Sequence, residues 1–209
     1  RVPAPAVETG DAAEARPWRA IVSRPTYMVA LFGAATGYGV MILAMTATPI
    51  AMVHYHHDLS TASAAIQFHV LGMFLPSFFS GPLIARFGAL RIMLAGVVLF
   101  TGHVLMTLTG TGFASFAGAL ALLGVGWNFL YIGGTTLLTE TYRPEERAKA
   151  QGANDFLIFA TMAISSFSSG LIVTGAGWAA VNLSALPMVA VLMVAIAWLA
   201  LRERRSIIP

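Results

Sequence analysis

Long apolar runs separated by short polar breaks organise this chain. Six runs, 27–53, 62–85, 90–108, 113–139, 153–174 and 179–201, are candidates to cross a bilayer. A spanning helix needs about 20 such residues. The runs are made of Leu, Ala, Val, Ile, Phe, Met and Gly, which suits lipid-facing helices in close mutual contact. They lack the alternation over about ten residues that barrel strands show. The pattern predicts an all-α membrane protein with six transmembrane helices over 26–201. Residues 1–25, rich in Ala, Pro and Glu, read as a linker, and 202–209 as a short tail. The chain does not begin with Met and shows no signal-peptide pattern. The expectation is therefore the second part of something longer.

Charge sharpens the topology. Only 10% of the 209 residues are charged, against about 25% in a soluble domain, and the mean hydropathy is +0.78. A cytosolic enzyme, a nucleic-acid binder and a disordered chain are all excluded by that balance. All 12 Lys and Arg fall at the chain ends, at 86–91 and at 143–149. The connections 54–61, 109–112 and 175–178 carry none. Basic residues mark the cytoplasmic side, so both termini and the 140–152 connection are expected there. The net charge of +3 is thus topogenic, and no nucleic-acid partner is implied. Zero Cys removes disulfides, a thiol nucleophile and Cys-based zinc sites. No Walker sequence is present, which argues against an ATP-driven pump.

The candidate chemistry lies in the first two runs. Met41 and Met45 are four apart, as are His69 and Met73, and residues four apart share a helix face. In an antiparallel hairpin turning near His57, Met41 would level with Met73 and Met45 with His69. At 1.5 Å per residue, Met45 is ~18 Å from His57 along the axis, close to midmembrane. Thioether and imidazole donors select Cu(I) among common metals, and an ionisable residue inside a span is usually functional. Packing is the competing role for methionine. At the mouth, His54, His56 and His57, with Asp58 and Met52 nearby, are candidates to capture a metal; a plain polar turn is the alternative.

The stretch 81–91 resembles the loop signature G-x-L-x-D-R-x-G-x-x-R of the major facilitator superfamily (MFS). Gly81, Leu83, Arg86, Gly88 and Arg91 match, while Ala85 stands where Asp is common. The resemblance implies the C-terminal half-bundle of an alternating-access transporter, whose N-terminal six-helix half would lie outside this chain. Gly81 is expected to allow close helix packing and Gly88 a tight turn. The two four-residue pairs are also similar to those of CcoA-like bacterial copper importers. That resemblance implies copper import across the cytoplasmic (inner) membrane for haem–copper oxidase assembly. Copper would be the transported substrate, with no permanent cofactor, and Met41, Met45, His69 and Met73 would bind it. Some relatives in the wider family resemble riboflavin transporters.

Other polar residues carry milder expectations. His103 is expected to bond a backbone carbonyl or a Thr. Trp127 and Asn128 either line a cavity or join helices. Asn154 and Asp155 read as a helix N-cap and a salt bridge, with proton coupling as the alternative. Glu140, Glu145 and Glu146 are expected to pair with Arg143 and Arg147. Gly33, Gly37, Gly124, Gly126, Gly133 and Gly134 suggest close helix crossings. Two readings compete with copper import: an MFS carrier of an organic solute such as riboflavin, and a non-transporting membrane assembly subunit.

Overall fold

The computed structural model describes residues 16–207. The expected linker residues 1–15, with Arg1, the tail residues 208–209 and the side chains of Arg204 and Arg205 lie outside the described residues. The described chain is α-helical throughout. It runs α1 (Trp18–Val22), α2 (Pro25–His54), α3 (Leu59–Phe74), α4 (Ser77–Phe87), α5 (Ala89–Thr107), α6 (Phe113–Thr139), a 3-10 turn at Pro144–Glu146, α7 (Arg147–Ser184) and α8 (Leu186–Ile207). Exposed Phe78, Phe156, Phe167 and Val194 crowd the outside. Apolar surface on that scale faces lipid or another protein rather than water.

Eight α-helices build the described residues where six spans are expected: α1 lies within the expected linker, the second run is broken in two, and the last two runs are divided at a different place from the expected loop. The second run divides into α3 and α4, bent by 40°. Pro76 lies at that break and has no N–H to give to the preceding turn. The last two runs are joined into α7 without a polar loop, and the chain reverses at Gly177 (φ 82°), a left-handed conformation that glycine adopts freely. The reversal follows from the neighbours. Val173, Thr174 and Trp178 sit beside Ile50, Ala51 and His54 at one end, whereas Ala200 and Glu203 sit beside Leu90 and Glu140 at the other. A further break at Ala185 separates α8.

One end of the bundle therefore carries the histidine turn and the other the arginines. Asp58 caps α3, its carboxylate accepting from the Thr61 N–H at 2.7 Å and from Ser60 at 3.1 Å, which holds its pKa below the ordinary value. Gly88 makes the sharp α4–α5 turn at φ 86°, as its place in the signature predicts. Gly81 differs, since no atom lies within 4 Å of where its Cβ would be. It faces open space rather than a helix contact.

The N-terminal lead-in is tied down where it is described. Arg16 Nε donates to Glu146 Oε1 at 2.7 Å, its backbone N–H to the same oxygen at 3.0 Å, and Nη2 to Oε2 at 2.5 Å. Arg16 and Arg24 also converge on the Thr141 carbonyl, at 3.1 and 3.2 Å. Glu146, expected to pair with Arg143 or Arg147, is instead buried on Arg16, and accepts from the Arg143 backbone N–H at 2.9 Å. The Arg16 hydrogen bonds hold its carboxyl down at about 2. The pair is fully ionised above about 4.5 and is lost only as pH falls toward about 2.

α6 is the spine of the bundle. It packs against α5 on one side, α3 on another and α2 on a third. Its glycines permit this: a Cβ on Gly124 would lie 2.9 Å from the backbone of Gly72 and Met73, and one on Gly126 3.0 Å from the Gly96 carbonyl. Backbone cannot yield as a side chain would. Gly124→Ala should therefore lower the thermal midpoint of the purified protein, with an overpacking cost of about 1–3 kcal/mol. Gly152→Ala, which meets nothing within 4 Å, should not lower it.

Candidate functional site

The residues of the copper reading are divided among different packing partners. Met41 is buried in the core, Met45 and Met73 are half-buried, and His69 is 2% exposed. α2 packs chiefly on α7, and α3 chiefly on α6, so the first two spans are not the tight pair that the equal-depth argument assumes. Ser169 on α7 donates to the Leu43 carbonyl at 2.6 Å. On α3, His69 is held by α6, its Nδ1–H donating to the Leu120 carbonyl at 3.2 Å. Nε2 of His69 is buried without a partner. In that tautomer it carries a lone pair, available to a donor or a soft cation.

The histidine turn holds no cage. His57 Nε2 is 2.7 Å from the Thr111 carbonyl, His54 packs edge-on against Tyr55, and His56 sits at φ 65°. Among the described residues no three His, Asp or Glu side chains could hold one metal ion. Met52, expected at the mouth, is fully buried, because it lies on the inward face of α2.

Two polar residues of the spans are structural. His103 bonds the Ala119 carbonyl through Nδ1 at 2.8 Å, as expected, so successive carbonyls of α6 receive a histidine from α5 and one from α3. Asn128 serves the broken span. Its Nδ2 donates to the Met73 carbonyl and to Ser77 Oγ, both at 2.7 Å, and its Oδ1 accepts from Ser80 Oγ at 2.5 Å. One amide thereby satisfies polar groups on both sides of the Pro76 break.

A cavity of about 370 Å³ opens between α2, α6 and α7, within the range of about 300–1,000 Å³ usual for small-molecule pockets. Its aromatic wall starts from Trp127 and Tyr131, four apart on α6 and stacked at 4.9 Å and 12°. Tyr38 of α2 stands edge-on to both, at 5.2 and 5.8 Å. Trp127 lies behind, 6% exposed, with its indole N–H unpaired. Tyr131, 40% exposed, presents the free ring face. Thr135, Gln151, Asn154 and Asp155 supply the polar lining.

Asn154 and Asp155 thus do not cap a helix. α7 begins at Arg147, two turns earlier, and no salt bridge holds Asp155 among the described residues. Its recorded contact is an N–H from Asn154 at 3.2 Å. The aromatic site escapes a reading that looks for metal donors, although Trp127 and Tyr131 at helical spacing were the available signal.

The Major Facilitator Superfamily model matches residues 3–208. The chain is 43% identical over 179 residues to the riboflavin transporter RfnT of Brucella anthropi, covering 86% of this chain and 45% of that protein. It is 38% identical over 146 residues to the uncharacterized MFS-type transporter YdeG of Bacillus subtilis, covering 69% and 34%. A second Bacillus subtilis protein, the uncharacterized MFS-type transporter YddS, is 33% identical over 175 residues, covering 79% and 40%. The chain spans less than half the length of each.

The Asn128 contacts generate a stability prediction. Asn128→Leu should remove the three hydrogen bonds to the Met73 carbonyl, Ser77 and Ser80, at a cost of about 1–3 kcal/mol. The expected result is a lower thermal midpoint in detergent. Ser63→Ala, which removes only an exposed bond to the Leu59 carbonyl, should leave the midpoint unchanged.

Proposed function

The chain belongs to the major facilitator superfamily, and from that premise we propose that it forms the C-terminal half of a secondary carrier for an organic solute, riboflavin or a similar planar heteroaromatic compound. The single observation that carries this reading is the cavity walled by Tyr38 and Tyr131 and lined by Thr135, Gln151, Asn154 and Asp155. An aromatic face binds a flat ring by offset stacking, and the polar lining suits hydrogen-bonding substituents. The riboflavin transport named for the Brucella relative supports the same cargo. Half-bundles of such carriers rock against each other around a central site, so the cavity would be completed by a second half. The work is transport and not catalysis, in a bacterial inner membrane, with the arginine end cytoplasmic by the positive-inside rule.

Copper import is the second reading, and one observation favours it. The unpaired Nε2 of buried His69 is a competent ligand, with Met73 one turn away and Met41 and Met45 as further soft donors. In this reading His54, His56 and His57 would capture the ion at the outer end.

Uptake by cells expressing the full-length protein separates the two. Riboflavin should accumulate, and Tyr131→Leu should reduce the rate roughly three- to tenfold, the worth of one stacking contact. Met45→Leu and His69→Gln should leave riboflavin uptake near the native rate. Accumulation of copper instead, abolished by Met45→Leu and His69→Gln, would overturn the solute reading.

Topology provides an independent measurement. With other cysteines removed, a single cysteine at position 57 should react with an impermeant thiol reagent from outside. One at position 145 should react only after the cells are opened.

A further inference from the structure

Asp155 is the one acidic residue within the six apolar runs. An ionisable residue within a spanning run is rare and is usually functional. Among the described residues it is neither paired with a cation nor buried among donors. It is exposed, it lines the cavity, and Asn154 is the neighbour that bonds it. Among the described residues neither Lys nor Arg lines the same cavity, so an anion entering would meet the negative charge of Asp155 with no described positive one beside it. Asp155 lines this cavity together with Tyr131, the residue with the free ring face. A ring stacked on Tyr131 would therefore hold its substituents near the carboxylate. Hydroxyl and amine substituents would donate to it, helped by Asn154, whose Oδ1 is buried without a partner, and by Thr135 and Gln151. A phosphate would face like-charge repulsion in a site of lowered dielectric.

We propose that Asp155 is a charge filter: the cavity accepts a planar heteroaromatic solute with neutral or cationic substituents and rejects the same ring once it is phosphorylated. The inference rests on the solute-carrier reading and adds a specificity that this reading does not require. A carrier built this way takes up the free compound and leaves its phosphate ester where it is. The expected discrimination is about a hundredfold, from two charges roughly 6 Å apart at an effective dielectric near 20.

The test is binding to the purified full-length protein, read by quenching of flavin fluorescence, so that a transport defect does not interfere. Riboflavin and riboflavin 5′-phosphate are titrated separately. The native protein should bind riboflavin at least about a hundredfold more tightly than the phosphate. Asp155→Asn should narrow the ratio at least tenfold by improving phosphate binding, whereas Asp155→Glu, which keeps the charge, should retain it. Equal binding of both flavins by the native protein overturns the filter and leaves the carrier reading standing. An unchanged ratio in Asp155→Asn, or loss of both flavins from it, also overturns the filter, the latter by making Asp155 a required contact. If the native protein binds neither flavin, the flavin-carrier reading fails and the filter with it.

Discussion

Backbone pairing in an apolar medium is the constraint on which this structure depends. Water is absent from a bilayer core, so each N–H and C=O must find a partner within the protein. Continuous helix meets that demand without help. A departure from continuous helix then has to be repaired locally, and at the Pro76 break the repair is visible. At the Pro76 break, Asn128 donates to the Met73 carbonyl and binds both Ser77 and Ser80. At the Gly177 reversal, the chain is at the histidine end of the bundle, beside His54 and Tyr55.

The same constraint explains the role of α6. Helices that gain little from hydrophobic association in lipid must gain from close packing and hydrogen bonds. Glycines on α6 let the backbones of α3 and α5 approach, and histidines from those helices bond its successive carbonyls. His69 and Asn128, which look functional in a sequence, thus have structural partners. His69 retains one unpaired nitrogen, and the copper reading depends on that atom.

The face of α6 toward α2 and α7 is of another kind. There the side chains are aromatic, the space between the helices is open, and the polar groups have few partners within the protein. Unpaired polar groups beside a cavity are expensive unless something periodically satisfies them. A bound solute is the simplest such partner, and the chemistry of Tyr38, Tyr131, Asn154 and Asp155 describes what kind. At the arginine end, the Arg16–Glu146 pair fixes the lead-in to the 140–146 turn, so the first and fifth spans share an anchor there.

The all-α class, the apolar runs, the charge asymmetry and the family signature were legible in the sequence. Each depends on composition or on residues close in the chain, and helix periodicity and apolar length are properties of that kind. The tight turn at Gly88 and the carbonyl bond of His103 were legible for the same reason, since each follows from one residue's chemistry. The helix count was not, because whether Pro76 kinks or breaks a span depends on Asn128, 52 positions away. Nor was the destination of Glu146, whose partner Arg16 lies 130 residues earlier. The cavity was decided by tertiary structure alone. Tyr38, Tyr131 and Asp155 come from three helices, and only the packing of α2 against both α6 and α7 turns them into one surface.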